Sequence, residues 1–439
     1  MHEITIPDEI QTRYLPRDRK VTLLLAGLAA VGVLAFLALL ATDAHRAWTS
    51  YVSNWLFFTS VAQGAILLCA ATTITKAKWN WSVRRLSLAM GAFLPISFLL
   101  LLPMLLFLRG NYFPWIAKME YDVIVQAKAA YLNIPFLVIR NLIAAGVLFG
   151  LSLLYIRLAL RPDLGPERAA EEQGDTGRAR WRQRLSGGWR GQEVEARESS
   201  SRLTVLSPAL VLVYALAMSI FAVDWAMSLD AHWFSTLFPA WFFMGAFWGG
   251  ILATALLSVV VRRWDGYAHE HIGAQQHHDL GKLSFGFSIF WTYLFWSQYI
   301  VIWYGKLPWE QAWMIDRAGA DWGPISLLVI ILCFVTPFGG LISKTPKLIP
   351  TALGTITALA LTGLWLERFL LVAPSIHVEG TPTITFWEPL IGLGFLGIFA
   401  SVVRWFLSTF PIVQLWQPTP AIEMMEAEIH PPQSARAHH

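Results

Sequence analysis

The sequence predicts an all-α polytopic membrane protein of about ten transmembrane helices: two four-helix bundles (spans two to five and six to nine) plus two flanking helices. Three observations predict it. Only 14% of the residues are charged, against about 25% in an ordinary soluble domain, while 56% are hydrophobic. Apolar runs that reach the roughly 20 residues needed to cross a hydrocarbon core recur along the whole chain. Basic residues gather in alternate loops between those runs.

The runs place spans at 21–42, 51–72, 86–108, 131–156, 205–228, 237–261, 284–304, 324–342, 350–372 and 386–408. The first is long enough to span, so it is not read as a cleavable signal. Arg13, Arg17, Arg19 and Lys20 precede span one, and Lys76, Lys78, Arg84 and Arg85 fill the loop after span two. Arg178, Arg180, Arg182, Arg184 and Arg190 follow span four, Arg262, Arg263 and Lys282 follow span six, and Lys344 and Lys347 follow span eight. The other loops carry Asp43, Asp230, Asp316 and Glu379. The positive-inside rule therefore predicts both termini in the cytoplasm.

The predicted division is a cytoplasmic segment at 1–20, a flanking helix at 21–50, a first bundle at 51–230 and a second at 231–385. A flanking helix at 386–410 and a cytoplasmic tail at 411–439 complete it. The first bundle contains a cytoplasmic loop, 161–204, that mixes Arg, Glu, Gly and Ser without apolar periodicity. The tail is similar, and its terminal His438 and His439 are assigned no metal.

Composition narrows the chemistry. The net charge of +4 is small and follows topology rather than nucleic-acid binding. Cys69 and Cys333 stand alone in apolar spans, without CxxC or CxxCH, and read as buried structural thiols. His45, His232, His269, His271, His277, His278 and His377 fall in loops or at span ends, so haem ligation at membrane depth is not expected. No phosphate-binding glycine loop with its lysine is present. The expectation is no metal and no cofactor held by this chain.

An internal repeat is legible in order. Trp55-Leu56-Phe57-Phe58 with Gly64 matches Trp241-Phe242-Phe243-Met244 with Gly250, and Phe113-Pro114-Trp115 matches Leu307-Pro308-Trp309. The stretch Ile134 to Arg140 resembles Ile325 to Ile331, and Asp224 of span five corresponds to Glu367 of span nine. Four matches in register argue for two same-facing units related by an axis along the membrane normal.

Four ionisable side chains lie within spans: Arg140, Asp224, Glu367 and Arg368. A charge at membrane depth costs about 3 kcal/mol on insertion scales, so each is a functional candidate and each needs a partner. Arg140 is expected to pair with Asp224, with Asn133 on the same helix face. Either a proton relay or a polar pocket for a quinone headgroup suits the set, and a structural ion pair is the plainer alternative. For the quinone pocket the expected residues are Arg140, Asp224 and His232.

Span seven adds hydroxyls. Ser284, Ser288 and Thr292 recur at i, i+4 and i+8, with Tyr299 seven residues further, and read as one face. Tyr293, Ser297 and Tyr304 mark the neighbouring face. Such a track conducts protons if waters join it; interhelical hydrogen bonding is the alternative. At its mouth lie His277, His278, Asp279 and Lys282, a cluster suited to collecting protons, to docking a partner, or to solvation alone.

The segments YVSNWLFFTSVAQGA (51–65), AVDWAMSLDAHWFSTLF (222–238) and HHDLGKLSFGFSIFWTYLFWSQYIVIWYGKLPWE (277–310) resemble the ActF subunits of bacterial alternative complex III, among the NrfD/PsrC-like membrane proteins. The resemblance covers about 50 to 410, most of the membrane part. It implies a multisubunit quinol:cytochrome c, or other periplasmic acceptor, oxidoreductase. The implied partners are a sister NrfD-like subunit (ActC), an iron–sulfur subunit and haem c subunits, with menaquinol or ubiquinol oxidised at the sister subunit. Asp224 carries over at the aspartate of DWxMSL, His278, Asp279 and Lys282 at HDLGK, and Tyr299 and Tyr304 at SQYxxIWY. The resulting expectation is a non-haem membrane subunit conducting protons. A quinol-binding subunit with its own site, a stand-alone secondary transporter and a structural scaffold are the alternatives.

Overall fold

The computed structural model describes residues 10–108, 112–165, 175–378 and 380–416. The start of the expected N-terminal segment, part of the 161–204 loop, Glu379, and the tail from 417 with His438 and His439 lie outside them. Among the described residues all regular elements are helical. Ten helices are long and apolar enough to cross a membrane: Arg19–Thr42, Ala44–Ile74, Arg84–Phe107, Ile134–Asp163, Gln192–Leu229, Phe238–Trp264, Ala274–Gly305, Gly323–Leu341, Pro350–Ile376 and Trp387–Thr409.

Local chemistry sets their ends. Asp18 caps span one by accepting the Lys20 N–H, and Asp43 caps span two by accepting the Arg46 N–H, so the chain reverses at one residue. Span three is broken between Gly91 and Leu94, where Pro95 opens the second piece: proline has no N–H to continue the ladder. Spans five and seven begin at Gln192 and Ala274, well before the expected 205 and 284. Their added turns are polar and run beyond the apolar stretch, which is all that hydropathy registers.

Spans two to five close one ring and spans six to nine a second. Span two packs against span six, span five against span six, and span nine against span two, the set of neighbours a two-fold axis between the bundles requires. The matched glycines of the repeat meet on that axis. A Cβ on Gly64 would lie 2.0 Å from the Ala246 carbonyl oxygen, and one on Gly250 would lie 2.1 Å from the Gly64 carbonyl carbon. Lipid gives apolar helices no hydrophobic reason to associate, so this backbone approach, with its van der Waals contact, is what joins the halves. Hydroxyls add to it: Ser87 bonds Thr254 across the halves at 3.0 Å, and Thr59 bonds Ser97 within the first at 2.6 Å.

Spans one and ten pack on each other and lean together on spans two and three. Their crossing is again glycine on glycine, at Gly32 and Gly394. The Leu15 N–H donates to the Leu407 carbonyl and the Ile412 N–H to the Arg13 carbonyl, each at 2.9 Å. Both ends of the described chain thus lie side by side on one face, termed here the terminal face.

Candidate functional site

Two buried ion pairs occupy corresponding places in the bundles, near the face opposite the termini. In the first bundle Arg140 sits in the second turn of its helix and Asp224 in the last turn of its own. Arg140 Nε donates to Asp224 Oδ2 at 2.7 Å and Nη2 to Oδ1 at 2.8 Å. The Tyr131 hydroxyl donates to Oδ1 at 2.9 Å, and Asn141 Nδ2 to Oδ2 at 2.6 Å. Asp224 is 0% exposed, and its carboxylate is met by four donors. Arg140 is equally committed, with Nη1 on the Tyr131 carbonyl at 2.7 Å and its plane 3.8 Å from the Tyr131 ring centroid. Burial, and then the Asp224 carboxylate, push the Tyr131 phenol up, so it remains a donor. Trp225 Nε1 holds Asn141 Oδ1 at 2.8 Å, fixing which end of that amide faces the acid.

The second bundle solves the same problem differently. Ile331 stands at the repeat position of Arg140, and the turn Ile331–Val335 widens to a π-helical turn. The partner of Glu367 is instead the next residue on its own helix. Arg368 Nη1 donates to Oε1 at 2.9 Å and Oε2 at 2.8 Å, while Nη2 holds the Phe242 carbonyl at 2.9 Å. Both side chains are buried. Among the described residues Arg368 is the sole donor to Glu367, in contrast to the four donor atoms around Asp224.

Other expected site residues lie elsewhere. Asn133 caps the helix of span four, accepting the Phe136 N–H, and does not join Arg140. His232 does not reach Asp224; its Nε2 lies 2.5 Å from Asp122 Oδ2. Partial burial raises the Asp122 carboxyl, but His232 and the N–H groups of Val125 and Ile124 outweigh it and hold the group below its ordinary range. An apolar-walled cleft of about 260 Å³ opens beside the first pair, lined by Tyr131, Lys128, Met227, Ser228, Trp233 and Phe234 among others.

The hydroxyl track of span seven is not continuous. Ser284 and Ser288 are fully buried, but Ser288 donates to the Phe285 carbonyl and Thr292 to the Ser288 carbonyl, within their own helix. Ser297 is half-buried, and Tyr293, Tyr299 and Tyr304 are exposed on the outer surface of the bundle. With 3.6 residues per turn, an i, i+4 ladder drifts about 40° at each step. The inward face passes instead to Trp291, Leu294 and Gln298. At the mouth, Asp279 bonds Lys282 at 2.6 Å and Gln275 at 2.7 Å, and His278 is half-buried. Its neighbour His277 is the fully buried one, with neither ring nitrogen bonded among the described residues.

Several buried charges escaped the sequence reading because they sit at span ends. Arg85, read as a loop residue, is 0% exposed and paired with Asp163, while Arg84 bonds the hydroxyls of Thr73 and Tyr155, each at 2.6 Å. Arg46 Nε meets the buried Glu388 at 2.5 Å. Arg317 is buried with no carboxylate bonded to it among the described residues, donating to the Leu370 and Leu371 carbonyls and to Ser375. These carbonyls belong to the last turn of the span-nine helix, whose negative dipole end favours a cation.

The fold defines a multi-pass helical membrane protein in which Asp224 and Glu367 are each paired with an arginine of the same bundle. Compared with known proteins, the chain matches no family model and no curated sequence.

Proposed function

We propose that the chain is a non-haem integral membrane subunit of a quinol-oxidising electron-transfer complex of the alternative complex III kind, in the bacterial cytoplasmic membrane with both termini cytoplasmic. Haem c and iron–sulfur centres belong to partner subunits, and this chain's part is to conduct protons. One observation carries the reading: buried carboxylate–guanidinium pairs at corresponding positions of two bundles. Ionisable groups inside membranes lie by default on ion or proton pathways. The DWxMSL, HDLGK and SQYxxIWY segments support the kind of complex.

The two pairs differ in what they can do. Four donor atoms hold the Asp224 carboxylate, and it serves as a clamp between spans four and five. Glu367 is held by one guanidinium nitrogen, and Arg368 keeps a second anchor on the Phe242 carbonyl. Glu367 is therefore the group able to accept and release a proton without dismantling a network. In the purified complex reconstituted in vesicles, Glu367→Gln should lower protons moved per electron while quinol oxidation continues. Unchanged stoichiometry rejects the proton role.

A second reading rests on the cleft beside Tyr131, whose apolar walls and adjoining hydroxyl suit a quinol ring. A photoreactive quinone analogue should then label the 128–132 or 227–234 peptides, and labelling confined to other subunits excludes it.

A further inference from the structure

On the terminal face, the helix of span seven and the short helix Lys344–Leu348 form a basic notch that the proposed function does not use. Lys347 lays its stem on the span-seven helix where Gly281 leaves room: a Cβ there would lie 2.8 Å from Lys347 Cγ. The residue is 7% exposed, and its ammonium stands 5.2 Å from the Phe285 ring centroid. Among the described residues neither Lys347 nor the exposed Lys344 has a carboxylate or carbonyl acceptor. Asp279, beside the notch, is occupied by Lys282 and Gln275. His278 lies within electrostatic reach of all three lysines. Burial, and then Lys282, hold the Lys347 ammonium below its ordinary range, a penalty that an anion in the notch removes.

The flank of the notch is apolar. Phe285 stacks on Phe338 at 5.7 Å, and Phe338 and Ile342 are exposed along the helix that leads away from the lysines. An anion that uses both surfaces needs a charged head and a hydrocarbon tail. Basic pockets between membrane helices at the level of an anionic leaflet take phospholipid headgroups in this way. We infer that this notch binds the phosphodiester of an anionic phospholipid, with Lys347, Lys344 and Lys282 on the headgroup and the acyl chains along Phe338 and Ile342. A free phosphate would engage the lysines alone.

Native mass spectrometry of the delipidated full chain, incubated separately with phosphatidylglycerol, phosphatidylcholine or inorganic phosphate, tests the site. Phosphatidylglycerol should be retained and phosphatidylcholine should not. Lys347→Met, which keeps the stem in its cradle, should lower retention about fivefold, and Lys344→Gln by a smaller factor. Lys344 is exposed, so its substitution decides the matter even if Lys347→Met misfolds. Undiminished retention in the folded variants overturns the site, as does equal retention of phosphatidylcholine. Displacement by equimolar inorganic phosphate makes it a free-anion site and overturns the lipid assignment.

Discussion

At the scale of single residues, the Asp224 pair gives the sharpest stability expectation. Asp224→Asn leaves Arg140 buried without its counter-charge, a change that costs about 3–5 kcal/mol where a buried pair is broken on one side. The thermal midpoint in detergent should fall sharply, and Arg140→Met combined with Asp224→Leu should recover much of the loss. If the single variant melts with the native protein, the clamp is not a clamp. Asp122 gives a pH-dependent counterpart. Its carboxyl is held below the ordinary value, so the stability it contributes is present above about pH 4 and is lost as pH falls through the depressed value. Asp122→Asn should therefore flatten the acid limb of a midpoint-against-pH curve below about pH 5. A limb as steep as the native one would assign the acid loss to other groups.

For the elements, the governing contact is the crossing of spans two and six. Gly64→Ala would drive a methyl into the Ala246 carbonyl, where neither backbone can yield without separating the helices. Overpacking of this kind costs about 1–3 kcal/mol and should show as a lower midpoint and a broadened size-exclusion peak. Gly146→Ala is the control, since a Cβ there meets nothing within 4 Å. Span seven yields a negative expectation. Tyr293→Phe and Tyr304→Phe alter hydroxyls on the outer surface, so vesicle proton stoichiometry should stay at the native value. A drop in either would restore the tyrosines to the pathway.

For the whole molecule, the pseudo-two-fold relation explains why the bundles share a scaffold but not a chemistry. The shared features are backbone approaches and helix order, while the arginine partner moved from the neighbouring helix in one half to the same helix in the other. Orientation belongs to this scale as well. Lys78→Cys and Lys306→Cys, both at exposed positions, should label oppositely with a membrane-impermeant maleimide. Lys306→Cys should react in cells stripped of their outer membrane, and Lys78→Cys only after the inner membrane is permeabilised. Cys69 and Cys333 are buried and should stay silent. The reverse pattern would place the termini outside.

The number and order of the spans were legible in the sequence, because transfer of about 20 apolar residues into lipid is a local property of the chain. So were the four intramembrane ionisable residues and the Gly64–Gly250 correspondence. Helix faces were not. Against lipid, an outward side chain is as apolar as one turned toward a neighbouring helix, so periodicity does not say that Tyr299 looks out and Gln298 looks in. Nor does it say that Arg85 and Glu388, at span ends, are buried. Those assignments depend on where a neighbouring helix supplies the second half of a hydrogen bond, and only the packed structure decides that: Tyr131 and Asn141 around Asp224, Asp122 for His232, and Arg368 alone for Glu367.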